Sequence, residues 1–306
     1  MKKTILTNTI TVTILAAFCC LLWGSAFPCI KIGYSLFSID GTDTATQILF
    51  AGMRFTLAGI LTVIIGSLGA KKPLVPKKEA FPLVLKLCLF QTILQYIFFY
   101  IGLAHTTGVK ASIIEGSNVF FAIITAALIF GLEKLTIKKA VGCLLGFSGV
   151  VLVNMTGSEL GALNLAGDGS ILLSAVAYAI SSSLIKVYSE KENPVTLSGW
   201  QFFIGGIVMI LAGLAFGGRI TQVTANGLLM LLYLAFVSAF AYSLWGVLLK
   251  YNPVSKIAVI GFTNPVFGVI LSALLLNEGA QALSFNSAFA LVLVCLGIIV
   301  VNFKHK

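Results

Sequence analysis

Apolar residues along this chain come in long unbroken runs, with the polar residues gathered into short connections between them. A helical run crosses a hydrocarbon core of ~30 Å once it reaches about 20 residues. Ten such runs are legible, at 11–32, 47–68, 81–103, 109–131, 137–156, 168–188, 195–216, 227–249, 255–277 and 282–303. The longest connections are 33–46, 69–80 and 157–167, so no soluble domain fits between the runs. Any ligand chemistry must therefore take place among the helices. The pattern predicts an all-α integral membrane protein with ten transmembrane helices.

The pattern is also written twice. GVVLVN (Gly149 to Asn154) returns as GIIVVN (Gly297 to Asn302), and SNVFFAIITAALIFGLE (Ser117 to Glu133) returns as TNPVFGVILSALLLNE (Thr263 to Glu278). Lys110 and Lys256, like Asn118 and Asn264, are 146 residues apart, and Glu133 and Glu278 are 145 apart. WGSAFPCIK (Trp23 to Lys31) is echoed more loosely by YAISSSLIK (Tyr178 to Lys186). The division falls into residues 1–156 and 157–306, five runs each. An odd number of crossings per half places the second half upside down relative to the first. The expectation is two inverted five-helix repeats, an arrangement that in transporters puts the site at their interface.

Composition agrees: 58% of residues are hydrophobic and 10% charged, and mean hydropathy is +1.05. Soluble domains carry roughly 25% charged residues. In a soluble chain the net charge of +10 would suggest a nucleic-acid partner, but here the positions of the cations explain it. With the N-terminus inside, the cytoplasmic segments hold Lys2, Lys3, Lys71, Lys72, Lys77, Lys78, Lys134, Lys138, Lys139, Lys186, Lys191, Lys250, Lys256, Lys304 and Lys306, against Lys31, Lys110 and Arg219 outside. This is the positive-inside bias. It predicts a multi-pass protein of a bacterial-type cytoplasmic membrane, with both termini cytoplasmic, loop 157–167 outside and no nucleic-acid partner. Lys2 and Lys3 before an apolar run resemble a signal peptide, but the run continues to about Ile32 and is read as the first helix. Six cysteines lie within the runs without metal-ligand spacing, and no cofactor is expected.

Charges inside a bilayer need a partner, water or a role, since insertion scales place each at roughly 2.5–3.5 kcal/mol. Lys86 is near enough to the cytoplasmic edge to snorkel. Arg54 and Glu115 lie at similar depth, ~10 Å below the outer edge by helical rise, where three readings stay open: a static ion pair, contact with substrate charges, and proton exchange at Glu115. Other polar and aromatic residues fall at helical spacings that put pairs on one face: Trp23 with Phe27, Gln91 with Gln95, Tyr178 with Ser182, and Tyr242 with Trp245. Asn118 and Asn264 are expected to face each other across the midplane. Gln201-Phe202 in the seventh run echoes Arg54-Phe55 in the second. Pro28 and Pro265 are candidate helix breaks, with a simple kink the favoured reading at Pro28, and glycines such as Gly142, Gly146, Gly205, Gly206 and Gly213 mark close packing.

These landmarks in this order resemble the EamA family of the drug/metabolite transporter superfamily over nearly the whole chain. They are Trp23-Gly24-Ser25, Arg54-Phe55, Gly131-Leu132-Glu133-Lys134-Leu135-Thr136, Asn264-Pro265-Val266-Phe267 and Asn277-Glu278. One departure stands out: Val119 follows Asn118 where the second copy has Pro265. The resemblance implies ten helices, a central cavity shared by the halves, and transport of a small metabolite, commonly by export. The expected function is secondary transport, by alternating access, of a small polar or amphipathic metabolite such as an amino acid, with membrane lipid around it and protons as a candidate coupling ion. A monomer and a homodimer are both open. The expected site is lined by Trp23, Arg54, Gln95, Glu115, Asn118, Tyr178, Gln201, Tyr242, Trp245 and Asn264. The alternatives are a passive channel and an integral-membrane enzyme acting on lipid. The enzyme has little support, because the two histidines, His105 and His305, sit at a loop and in the tail, away from any acidic cluster.

Overall fold

The computed structural model describes residues 3–155, 164–261, 263–279 and 285–302, which exclude most of the 157–167 linker. Among the described residues, eight helices are long and apolar enough to cross a membrane: α1 (Thr9–Leu36), α2 (Thr44–Ala70), α3 (Lys78–Ala104), α4 (Gly108–Ile129), α6 (Leu165–Tyr188), α7 (Pro194–Ala215), α8 (Ala225–Tyr251) and α9 (Val254–Leu275). Two further apolar helices, α5 (Ile137–Met155) and α10 (Phe285–Asn302), have 19 and 18 residues. No strand occurs among the described residues. The helices begin where short polar side chains accept a first-turn N–H: Asn8 caps α1, Asp43 α2, Thr107 α4, Asn193 α7 and Thr224 α8. Large apolar side chains such as Ile64, Leu68, Leu128, Leu211, Leu229 and Leu274 are exposed, while Gln47, Arg54, Gln91, Gln95 and Gln201 are buried. Polar inside and apolar outside is the arrangement lipid demands.

The tightest packing is between α2 and α7, and glycine makes it so. Each helix carries glycine every seventh residue, at Gly52, Gly59 and Gly66 and at Gly199, Gly206 and Gly213. A Cβ on Gly52 or Gly59 would press on the backbone nitrogen of Ile210 or Phe203, and one on Gly206 or Gly213 on that of Thr56 or Leu49. The partner numbers fall on one helix as they rise on the other, so α2 and α7 run antiparallel. Further contacts pair α5 with α10, α4 with α9, α1 with α8 and α9, α6 with α3 and α4, α2 with α8 and α3 with α7.

Two helices are interrupted, at turns 145 residues apart in the chain. α4 is helical over Gly108–Glu115 and again from Asn118, with a turn at Gly116 and Ser117. α9 is helical over Val254–Ile260 and again over Thr263–Leu275, with a turn at Gly261. The first piece of each packs on the second piece of the other, so the breaks lie where the helices cross. Pro265 falls in the first turn of the second α9 piece, where its missing N–H leaves nothing unbonded. At Pro28 there is no break: α1 stays helical through it to Leu36. α4 breaks without a proline.

The starts of these two helices are closed by glutamates from the opposite half. Glu278 accepts the N–H groups of Gly108 and Val109, at 3.2 and 2.9 Å, at the start of α4. Glu133 accepts the N–H of Ser255, at 3.0 Å, at the start of α9. Within each half, ammonium groups do the converse at helix C-termini: Lys31 donates to Thr106 O at 2.8 Å, just after α3, and Lys186 to Leu249 O at 2.8 Å, in the last turn of α8, and to Asn252 O at 3.0 Å, just after it. In each case the sign of the charge suits the helix end it meets.

Candidate substrate cavity

The interrupted helices frame a buried cavity of about 50 Å³, room for a few waters. Nine of the ten residues expected at the site line it, from seven helices: Trp23, Arg54, Gln95, Glu115 and Asn118, Tyr178, Tyr242 and Trp245, and Asn264. Trp23 is the hub of the aromatic wall. Its ring centroid is 4.9 Å from both Tyr242 and Trp245 and 6.2 Å from Tyr178, all edge-on. These contacts join α1, α6 and α8 at one point.

The polar groups divide into those already engaged and those left open. Arg54 is anchored: Nε donates to Leu234 O and Ser238 Oγ, each at 3.1 Å, and Nη1 to Tyr100 Oη at 3.0 Å. The guanidinium carbon also lies 5.0 and 5.7 Å from the ring centroids of Phe55 and Tyr96. Gln95 Nε2 donates to Tyr242 Oη at 3.0 Å, and Tyr96 and Tyr242 share a hydroxyl–hydroxyl bond. Glu115, the last residue of the first α4 piece, receives a 3.4 Å contact from Asn118 Nδ2 on Oε1. Its Oε2 has no partner, and neither do Gln95 Oε1, Asn264 Oδ1 or the Trp23 indole N–H.

The static Arg54–Glu115 pair is not formed. Arg54 is held by α8 and Tyr100, and Glu115 by its neighbour on α4. Equal depth fixes the height of two residues but not their direction around the helix axis, and α8 supplies a carbonyl where Glu115 was expected. The buried ion pair lies elsewhere, between Lys110 and Asp168 at 2.8 Å.

Gln201 is not brought to the cavity. Phe55 and Phe202 stack at 5.2 Å across the α2–α7 seam, so the two echoed segments meet through their rings. Gln201 Oε1 accepts instead from Thr92 Oγ1. Gln91 and Gln95 were expected on one face, but a π-helical stretch over Leu89–Leu94 widens the turn between them, and only Gln95 reaches the cavity. Asn118 and Asn264 do share the cavity. The sequence reading missed Tyr96, which lines the cavity, and Tyr100 and Ser238, which anchor Arg54. The four-residue spacing of Tyr96 and Tyr100 was the available signal.

Comparison with known proteins places this cavity in a context. Residues 10–155 and 165–303 each match the model of the EamA-like transporter family. Over 298 residues the chain is 27% identical to YvbV, an uncharacterized transporter of Bacillus subtilis (strain 168), covering 96% of this chain and 92% of that one. Over 297 residues it is 28% identical to a protein of Escherichia coli (strain K12) named "Probable amino-acid metabolite efflux pump", covering 93% and 92%. A crystal structure of 17% sequence identity superposes with a TM-score of 0.69 over 95% of this chain and 97% of that one, a likeness of fold.

Proposed function

The chain belongs to the EamA-like transporter family, and from that premise we propose that it is a secondary transporter exporting a small polar or amphipathic metabolite, an amino acid or a related compound, by alternating access. The observation that carries this reading is the convergence of Trp23, Arg54, Glu115, Asn118, Tyr242 and Asn264 on one buried cavity where two interrupted helices cross. Broken helices beside a mid-chain cavity free polar groups for a ligand while the rest of each helix keeps its backbone bonds.

The cavity walls come from both halves of the chain, with α1 to α4 on one side and α6, α8 and α9 on the other. Ten crossings in two inverted repeats give each wall its counterpart. In support, the family model matches twice in succession, and α2 and α7, which hold the same place in their halves, run antiparallel. Every packed helix pair named above maps onto itself or onto another named pair when the halves are exchanged. Rocking of one half against the other would then expose the cavity to each side in turn. Both termini lie in the cytoplasm on this reading, as the lysine distribution requires. The name of the Escherichia coli relative supports the substrate class and the outward direction.

Transport is tested by counterflow in liposomes holding the purified protein and a panel of labelled amino acids. Saturable, trans-stimulated uptake is expected, and Glu115→Gln should abolish it without loss of folded protein. Unsaturable flux would favour a channel. Full transport by a stable Glu115→Gln protein would remove Glu115 from the site.

A further inference from the structure

A second recess lies at the lysine-rich end of the bundle and shares no lining residue with the central cavity. It is a groove of about 840 Å³ between α1, α2, α8 and the start of α7. Its depth is apolar. Phe236, Phe240, Leu244, Val247 and Tyr251 recur at steps of three or four residues, which puts them on one face of α8. Leu15 of α1 and Ile65 of α2 complete this wall. Phe236 and Phe240 stack at 5.8 Å, and both, like Ile65, are exposed. In a membrane the groove therefore opens sideways onto hydrocarbon. Its mouth is cationic. Lys72 and Lys77 come from the α2–α3 connection, Lys191 from the α6–α7 connection and Lys250 from the last turn of α8.

We infer that this groove is a binding site for an anionic phospholipid, with the head at the lysines and an acyl chain along the α8 stripe. The site goes beyond the transporter reading and does not depend on what the central cavity carries. Two glutamates, Glu190 and Glu192, share the mouth with the four lysines, so positive charge is in excess. Glu192 is already engaged: it accepts the N–H of Lys77 at 3.1 Å and that of Asn193 at 2.7 Å. Among the described residues none of the four lysines belongs to an ion pair. The N-terminus of α7, at Asn193 and Pro194, adds the positive end of a helix dipole to the same place.

Positive-inside bias alone asks only that lysines lie on the cytoplasmic side. Here they gather at the end of an apolar groove of lipid dimensions. From Phe236 to Tyr251 the stripe runs ~22 Å at 1.5 Å per residue. That passes through the ~15 Å of hydrocarbon in one leaflet and reaches its headgroups. A soluble anion would use the lysines and leave the stripe bare. A zwitterionic lipid would cover the stripe and leave the charge unmatched. An anionic phospholipid satisfies both, and basic pockets between membrane helices recognise such heads.

Native mass spectrometry of the purified full chain in a non-ionic detergent provides the test. The probes are dioleoyl phosphatidylglycerol, dioleoyl phosphatidylcholine, dihexanoyl phosphatidylglycerol and glycerol 3-phosphate, which vary the charge, the chains and the presence of any chain. Dioleoyl phosphatidylglycerol should bind saturably. The phosphatidylcholine and the short-chain lipid should each bind more weakly by about tenfold or more, and glycerol 3-phosphate should not be retained. Lys72→Gln with Lys191→Gln should weaken dioleoyl phosphatidylglycerol by about tenfold or more, since each lysine beside an anionic head contributes several-fold. Lys134→Gln with Lys138→Gln removes equal charge at the same end of the bundle, outside the groove, and should change binding by less than about twofold. All four substituted lysines are exposed, so melting temperature without lipid should not change. The lipid arms on the unaltered protein decide the matter even where a variant misfolds. Phosphatidylcholine binding as tight as phosphatidylglycerol would overturn the anionic assignment. Glycerol 3-phosphate binding as tight as the lipid would make this a site for a soluble anion. Equal loss in the two double variants would reduce it to general surface charge, and failure to retain any lipid would remove the site.

Discussion

At the scale of single residues, Arg54 and Glu115 have separate energetic roles. Removing the guanidinium leaves Leu234 O, Ser238 Oγ and Tyr100 Oη short of a charged donor in a buried place. Arg54→Gln should therefore destabilise the protein by about 2–4 kcal/mol, read as a fall in melting temperature. Glu115→Gln should change stability little, since its Oε2 bonds nothing and its Oε1 receives only the long contact from Asn118. The double variant should melt where the sum of the two singles places it, to within about 0.5 kcal/mol, because non-contacting sites add. Recovery of stability in the double variant would show that the two charges do pair.

At the scale of helices, the α2–α7 seam and the crossed termini make distinct demands. Gly59→Leu should prevent stable packing, since even a Cβ there meets the backbone of Phe203, whereas Gly69→Leu, with open space around it, should be tolerated. Retention of a monodisperse folded species on size-exclusion chromatography separates the two. Glu133 lies between α4 and α5. Burial pushes its carboxyl up, but hydrogen bonds from Lys139 Nζ and the Ser255 N–H outweigh that and hold it below the ordinary value of 4.5. A carboxyl depressed by folding contributes fully above its unfolded value and loses that contribution as pH falls through the folded one. The wild-type melting temperature should thus drop between pH ~5 and ~3 by more than that of Glu133→Gln, which should be the lower of the two at neutral pH. Much at this scale was legible in the chain. The helix runs, the packing glycines of the seventh run and the echo of Glu133 in Glu278 all came from spacing, whereas the partner helix of those glycines did not. The interruption of α4 was not legible, because no proline marks it and the cause is the crossing with α9. At Pro28 the helix continues, because one missing hydrogen bond does not stop a helix packed on both sides.

At the scale of the whole molecule, position along each helix was readable and direction around its axis was not. Nine of the ten residues expected at the site line one cavity because they lie in helices that meet there. Gln201 and the Arg54–Glu115 pair failed because azimuth is set by packing partners the chain does not announce. Orientation is tested in a cysteine-free background with an impermeant maleimide on intact cells. Thr42→Cys, exposed in the α1–α2 connection, should label, and Glu190→Cys, exposed after α6, should label only after lysis. The reverse pattern would invert the protein and the side from which its cavity loads.

The crossed helix ends have a consequence for the order in which the protein is made. Gly108 and Val109 emerge from the ribosome long before Glu278, which stands 170 residues after Gly108. Until the ninth helix has been synthesised and inserted, the start of the fourth holds two backbone N–H groups without their protein acceptor. Glu133, by contrast, is already waiting when Ser255 arrives. Assembly is thereby directional: the early half supplies a finished acceptor to the late one, and is itself completed only near the end of translation. A nascent chain stopped before residue 278 should accordingly leave position 109 reactive to small thiol reagents when substituted by cysteine, and a chain released after it should protect that position.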